Sequence, residues 1–371
     1  RYDEIIVYFQ DDYLKYRHDK KYKGEAEAYF KSLGIKTVDV RKFQKIYYVK
    51  EIVFLKYKLK KKERENRYGR FLNKILIDFF KKIEFWFSFF YEQNINVDIT
   101  HLEIGTEIIA KKIAINLLNG CSVKKIRSYI TDNDPRITGW YNENIIFVWG
   151  QDLCRRLNDT INKPNSIILS GYYDNHSKQT IIDDKLIKLT RKFKNNILIL
   201  DNAWSNNKEK DIENGNLQLI YQKDYFNFYK SIFKNFENKN YGLIIKPKKF
   251  SLIQKCPHLA DFLLNYENAG KCYVIKDAFQ YPVDNLLNFT DNIISVGIYF
   301  PTVLVECILK KKNLNTYYYD YANLKNKEKK IYNNLLDKVF FNSIDKLLKK
   351  ININLDENKN NYNIWENTIS D

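Results

Sequence analysis

Short apolar runs alternate along this chain with stretches in which apolar residues return every three or four positions. Residues 4–9 (EIIVYF) form a compact run of β-branched and aromatic side chains, which predicts a buried strand. Residues 24–33 read as a helix ended by Gly34, and 35–40 (IKTVDV) alternate like a strand. A lysine-rich, exposed helix is expected over 52–67, and a long helix with a wide apolar face over 71–93. The strand 95–99 (INVDI), a loop at 101–105 and a helix at 107–118 capped by Asn119-Gly120 follow. Then come a strand at 144–149 (NIIFVW), a helix start at 152–157 and a strand at 166–170 (SIILS). The polar stretch 174–184 reads as a hinge, after which the same rhythm restarts. Strands are expected at 196–200 (NILIL), 242–246 (GLIIK), 272–275, 292–296 (NIISV), 316–319 and 338–341. Helices are expected at 224–236, 282–289, 302–310 and 343–350, and the Asn-rich sequence from 352 is expected to pack loosely. Strand followed by helix, repeated, indicates parallel sheets with crossover helices. The expectation is an α/β chain of two doubly wound domains, 1–175 and 176–345, with a tail at 346–371. Ligands of such sheets sit beyond the carboxyl ends of the strands, here in a cleft between the two domains.

A length of 371 residues suits two domains, and 44% hydrophobic residues supply a core, which excludes a disordered chain. The longest apolar stretches, such as 85–91, fall short of the ~20 residues a membrane span needs. No hydrophobic leader is read at the start, so a cytoplasmic protein is expected. The net charge of +17 suggests an anionic partner, yet Lys, Asn, Ile and Tyr are all heavily used and Gly and Pro are sparse. That pattern is the mark of an AT-rich coding sequence, in which lysines accumulate without functional demand. The lysines are spread along the whole chain, which argues against a nucleic-acid-binding protein, the reading from another class that the charge alone would favour. Five scattered cysteines without a CxxC pair exclude a zinc knuckle and a disulfide framework.

The segment 291–320 (DNIISVGIYFPTVLVECILKKKNLNTYYYD) carries the most chemistry. It reads as strand, tight turn at Gly297, helix, strand. Free backbone N–H groups and the positive end of a helix starting at Thr302 suit a phosphate. Glu306, one turn further, can accept two hydroxyl hydrogen bonds from a ribose. Lys246, at the carboxyl end of the strand in 243–248 (LIIKPK), is a point charge suited to a phosphate, as is Lys248.

The segment resembles the nucleotide-binding element of GT-B glycosyltransferases that assemble bacterial capsule, lipopolysaccharide and exopolysaccharide. The matching residues are Val296, Gly297, Thr302, Glu306, the lysines at 310–312 and Asp320. A lysine stands where that family has a helix-ending glycine. Residues 243–248 are similar to its strand followed by Lys-Pro, with Lys248 in place of the usual His. FVWG at 147–150 with IILSGY at 167–172, and Asn119-Gly120 with Arg127-Ser128, extend the resemblance over most of 95–345. It implies a GT-B fold, two Rossmann-like domains facing each other across a cleft. It implies a nucleotide-sugar donor, CMP- or UDP-linked, and a glycan or lipid-linked acceptor. It also implies no cofactor and no metal. A CDP-glycerol or CDP-ribitol phosphotransferase and a sugar-nucleotide epimerase share that frame.

Transfer with inversion needs a base for the acceptor hydroxyl. The loop after the strand at 95–99 offers Glu103 and His101, with Asp98 beside them. His258, after a Pro in an expected loop, and His176, in the hinge, are weaker candidates. Asp132-Asn133-Asp134 has the letters of a metal-binding DxD but lacks its strand context. The helix over 71–93 reads as a core element because a wide apolar face usually means burial. Its Lys74, Lys81 and Lys82 beside many aromatic residues offer a second reading, peripheral contact with the inner face of the cell membrane.

Overall fold

The computed structural model describes residues 4–9, 17–62, 67–100, 106–126, 143–158, 164–171, 182–193, 195–202, 222–277, 281–297, 302–310, 314–320, 335–357, 360–361 and 363–364. The chain forms two compact units. The first holds the described residues up to 126, with 143–147 and 164–168; the second holds 148–158 and the described residues from 169 on.

The first unit contains β1 (Ile6–Phe9), α1 (Arg17–Ser32), β2 (Lys36–Asp39), α2 (Lys50–Lys62), α3 (Arg67–Glu92), β3 (Val97–Thr100), α4 (Thr106–Leu117) and β4 (Cys121–Lys125). It also contains β5 (Ile145–Val148) and β6 (Ser166–Leu169), whose last residues count with the second unit. β1 and β2 pair in parallel, and the other four strands form a sheet in the order β3-β4-β5-β6. The core is aromatic. Ile83, Trp86, Phe89 and Phe90 of α3 are buried against Ala110, Ala114 and Ile115 of α4 and Ile52 of α2. The Trp86 indole N–H donates to Glu107, and its ring meets Phe89 edge-on at 5.6 Å. Lys82 pairs with Glu107 at 3.0 Å and Lys81 with Asp78 at 3.0 Å. The rings of α3 from Phe79 to Phe90 are therefore packed into the core, and Lys81 and Lys82 are paired.

The second unit contains α5 (Gln151–Asn158), α6 (Asp184–Lys192), β7 (Asn195–Leu200), α7 (Gln222–Phe236), β8 (Tyr241–Lys246), α8 (Phe250–Gln254), α9 (Pro257–Asn268) and β9 (Cys272–Val274). It continues with α10 (Val283–Leu287), β10 (Asn292–Gly297), α11 (Thr302–Lys310), β11 (Asn315–Asp320), β12 (Phe340–Phe341) and α12 (Ile344–Asp356). Its six strands form one parallel sheet in the order β9-β8-β7-β10-β11-β12. Numbered from β7, that is 3-2-1-4-5-6, the order of a Rossmann-type doubly wound sheet, whose direction of winding reverses between β7 and β10.

Alternating side chains make two cores from this sheet. Leu198, Leu200, Ile244, Ile293 and Tyr318 face the helices α6, α10 and α11. Ile197, Ile199, Ile245, Ile294 and Tyr317 face α7, α9 and α12. Burial on both faces explains the continuous apolar runs NILIL and GLIIK. At Gly242 the backbone of β8 passes so close to β7 that a Cβ would collide with the Asn196 side-chain oxygen.

Over its described residues the Asn-rich C-terminal stretch is not loosely packed, against the expectation. Asn352 pairs with Asn235 at 3.1 Å, and Asn354 donates to the Tyr317 hydroxyl at 2.8 Å. Asn361 is buried: its Nδ2 donates to the Thr316 carbonyl and its Oδ1 accepts the Thr316 N–H, both at 3.0 Å. β12 is two residues long, so the Asn361 amide completes the ladder where that strand does not reach. Among the described residues no helix is long and apolar enough to cross a membrane.

Candidate functional site

In a parallel sheet the carboxyl ends of all strands lie along one edge, and ligands collect where the winding reverses. Here that edge brings together Asp201, which follows β7; Lys246, the last residue of β8; and Gly297, the last residue of β10. Leu200 is the register partner of Lys246, and Gly297 of Asp320. Gly297 is fully enclosed in the sheet edge, and the chain resumes in the described residues at Thr302, the first residue of α11. Leu304, Val305, Cys307 and Ile308 bury α11 against the sheet, which leaves Thr302 and Glu306 half-buried one turn apart.

Lys246 is half-buried, and desolvation lowers its ammonium pKa to about 8. Four acidic groups oppose that shift, Asp201 most, then Asp277, Cys307 and Glu306. Glu306 on α11 and Lys246 on β8 thus share one electrostatic neighbourhood, although 60 positions separate them in the chain.

Asp201 ties the edge together. Its Oδ1 accepts the Lys248 backbone N–H at 2.6 Å, and its Oδ2 accepts the Tyr229 hydroxyl at 3.0 Å. Its own N–H donates to the Lys246 carbonyl at 3.3 Å. Next to it, Asn202 accepts from the Tyr225 hydroxyl at 2.8 Å and from the Lys248 ammonium at 3.0 Å. Burial raises the Asp201 carboxyl to about 7 against those hydrogen bonds and the nearby lysine charges. Lys248 is exposed, but its ammonium rests on the Asn202 side chain and its backbone on Asp201. It therefore takes part in fixing the turn after β8.

His101 and Glu103 lie outside the described residues, as do His176 and Asp132-Asn133-Asp134. Asp98, placed beside them in the sequence reading, is not a loop residue. It sits inside β3, buried, and accepts the Tyr8 hydroxyl at 2.5 Å; burial raises its carboxyl pKa. It joins β1 to β3. His258 is not in a loop either, because Pro257 starts α9. It borders a cavity of about 690 Å³ shared with Gln222, Lys223, Phe226 and Phe262. Among the described residues no cluster of three or more His, Cys, Asp or Glu side chains is placed to hold a metal ion. Asp201 escaped the sequence reading; an acidic residue directly after the apolar run NILIL was the mark that could have found it.

No family model matches the chain, and no curated protein matches it. Among solved structures it is similar to the UDP-GlcNAc 2-epimerase of Methanocaldococcus jannaschii, with a TM-score of 0.47, 11% identity, and coverage of 94% of this chain and 91% of that one. It is also similar to MurG of Acinetobacter baumannii, at TM-score 0.38 and 8% identity over 93% and 81% of the two chains. The α,α-trehalose 6-phosphate synthase of Burkholderia multivorans gives TM-score 0.45 and 7% identity over 83% and 72%. At these scores the likenesses carry no conclusion about this chain.

Proposed function

We propose that this chain is a GT-B-type enzyme that takes a nucleotide-activated sugar, CMP- or UDP-linked, and transfers it to a growing bacterial surface glycan. The observation that carries this reading is that Lys246, which ends β8 beside β7, and Glu306, on the helix after β10, flank the place between β7 and β10 where the winding of a Rossmann-type sheet reverses. The start of α11 and the Lys246 ammonium receive the donor phosphate, and Glu306 accepts the two ribose hydroxyls. Lys248 adds positive charge at the rim of the same edge. In the reaction the acceptor oxygen bonds to the anomeric carbon, the carbon–oxygen bond to phosphate breaks, and the nucleotide leaves with that electron pair. The acceptor proton passes to a base, for which Glu103 or His101 is proposed. A sugar-nucleotide epimerase would use the same nucleotide contacts, and product analysis separates the two: a new glycosidic bond or an epimeric sugar nucleotide.

The test is thermal unfolding with CMP, CDP, UDP and GDP. A nucleotide at one hundred times its Kd stabilises the fold by about 2.7 kcal/mol. One of the four is expected to raise the melting temperature of the wild type and to leave Glu306→Ala unmoved. A shift of equal size in both proteins would remove Glu306 from the site.

A further inference from the structure

Large exposed apolar side chains are concentrated in one part of the first unit. On α2, Val53, Phe54, Leu55 and Tyr57 are exposed, Tyr57 to 66%. On the first turns of α3, Phe71, Leu72 and Ile75 are exposed, Phe71 to 68%. The two stretches are neighbours. The Asn73 side chain donates to the Leu59 carbonyl at 3.0 Å, and Lys56 pairs with the buried Glu84. α2 turns Ile52 inward, and α3 turns Asn73 inward, so the apolar residues named above stay outside as a consequence of how the hairpin packs. Exposed apolar side chains concentrated in this way mark an interaction site.

The same stretch is the most basic part of the chain. Residues 50–76 contain ten Lys and Arg against three Glu, which is +7 of the total +17. Lys50, Lys58, Arg70 and Lys74 are exposed among the apolar residues, and the Lys58 ammonium lies 4.4 Å over the Phe54 ring. Apolar side chains interleaved with cations are the composition of a helix that lies in a lipid headgroup region. The charge decides between occupants. A second copy of the chain would bring an equally positive surface against this one. A nucleic acid would gain from the aromatic rings but nothing from Val53, Leu55, Leu72 or Ile75, which have no face on which a base stacks. An anionic bilayer uses both components.

We infer that the hairpin of α2 and the first turns of α3 docks on the surface of an anionic lipid bilayer. The docking is independent of the nucleotide reading, because it requires neither Lys246 nor Glu306. The full chain is mixed with vesicles of phosphatidylcholine alone, or of phosphatidylcholine with phosphatidylglycerol, and sedimented at low and high salt. The wild type is expected to pellet with the anionic vesicles at low salt and much less with the neutral ones. Phe54→Ser/Tyr57→Ser/Phe71→Ser removes the apolar component, and Lys58→Glu/Lys74→Glu the charge. Each is expected to lower the partition coefficient by at least about tenfold. All these positions are exposed, and unchanged thermal unfolding confirms that the variants are folded. Equal pelleting of wild type and both variants overturns the inference. So does binding of single-stranded DNA with no binding of vesicles, or a dimer in solution that both variants abolish.

Discussion

Asp201 and Lys246 occupy adjacent strand ends, and burial moves each toward its neutral form. The native Asp201 keeps its proton up to about pH 7, whereas an unfolded chain releases it near 3.9. Between those values the native state binds more protons, so stability falls as pH rises. The native Lys246 releases its proton at about 8, and an unfolded chain near 10.4. There the unfolded state binds more protons, so stability rises with pH above about 8. The two slopes meet in a trough between about pH 7 and 8. Urea unfolding from pH 4 to 10 is expected to show it, and Asp201→Asn is expected to flatten its acidic limb and, by removing the charge that most opposes the Lys246 shift, to move the basic limb to lower pH. An acidic limb unchanged in that variant would assign the titration to another group.

β8 carries Lys246, and its placement depends on close passage beside β7. Gly242→Ala puts a methyl group against the Asn196 oxygen, with Phe193 Cδ2 at 3.0 Å behind it. Buried surroundings on both faces leave little room to yield, so a loss of about 1–3 kcal/mol is expected in denaturant unfolding. An unchanged midpoint would show that the two strands separate without cost. β8 is also an element that was plain in the sequence, because a strand buried on both faces needs an unbroken apolar run. β4 was not. Its sequence is CSVKK, and Lys124 is fully buried, paired at 3.2 Å with Glu143 nineteen positions on. A lysine held by so distant a partner looks like a surface residue to any local pattern. α6 was hidden for a related reason. It buries only Leu186 and Leu189, and its remaining polar residues merge with the stretch read as a hinge. Of the proposed site, the place of Glu306 was legible from strand–turn–helix spacing and that of Lys246 from its strand end. That both flank the reversal of the winding was not, because it depends on the order in which strands enter the sheet.

Two parallel-sheet units were readable from the repeated strand–helix rhythm, and the six-strand order of the second appeared only with the fold. The C-terminal residues belong to that order. Asn361→Leu removes both hydrogen bonds to Thr316 and leaves its buried N–H and carbonyl without that partner. A loss of about 2–4 kcal/mol is expected from thermal or urea unfolding. A change below about 0.5 kcal/mol would mean that the ladder closes in another way.

Trp149 packs against the core of the second unit, yet β6, which follows it in the chain, belongs largely to the first. Synthesis therefore delivers a piece of the later unit before the earlier one is complete. A fragment started at residue 169 would lack that indole and the α5 helix beside it in sequence. Neither a lone scissor cut nor circular permutation separates this molecule into independently made halves, because the two units alternate along the chain.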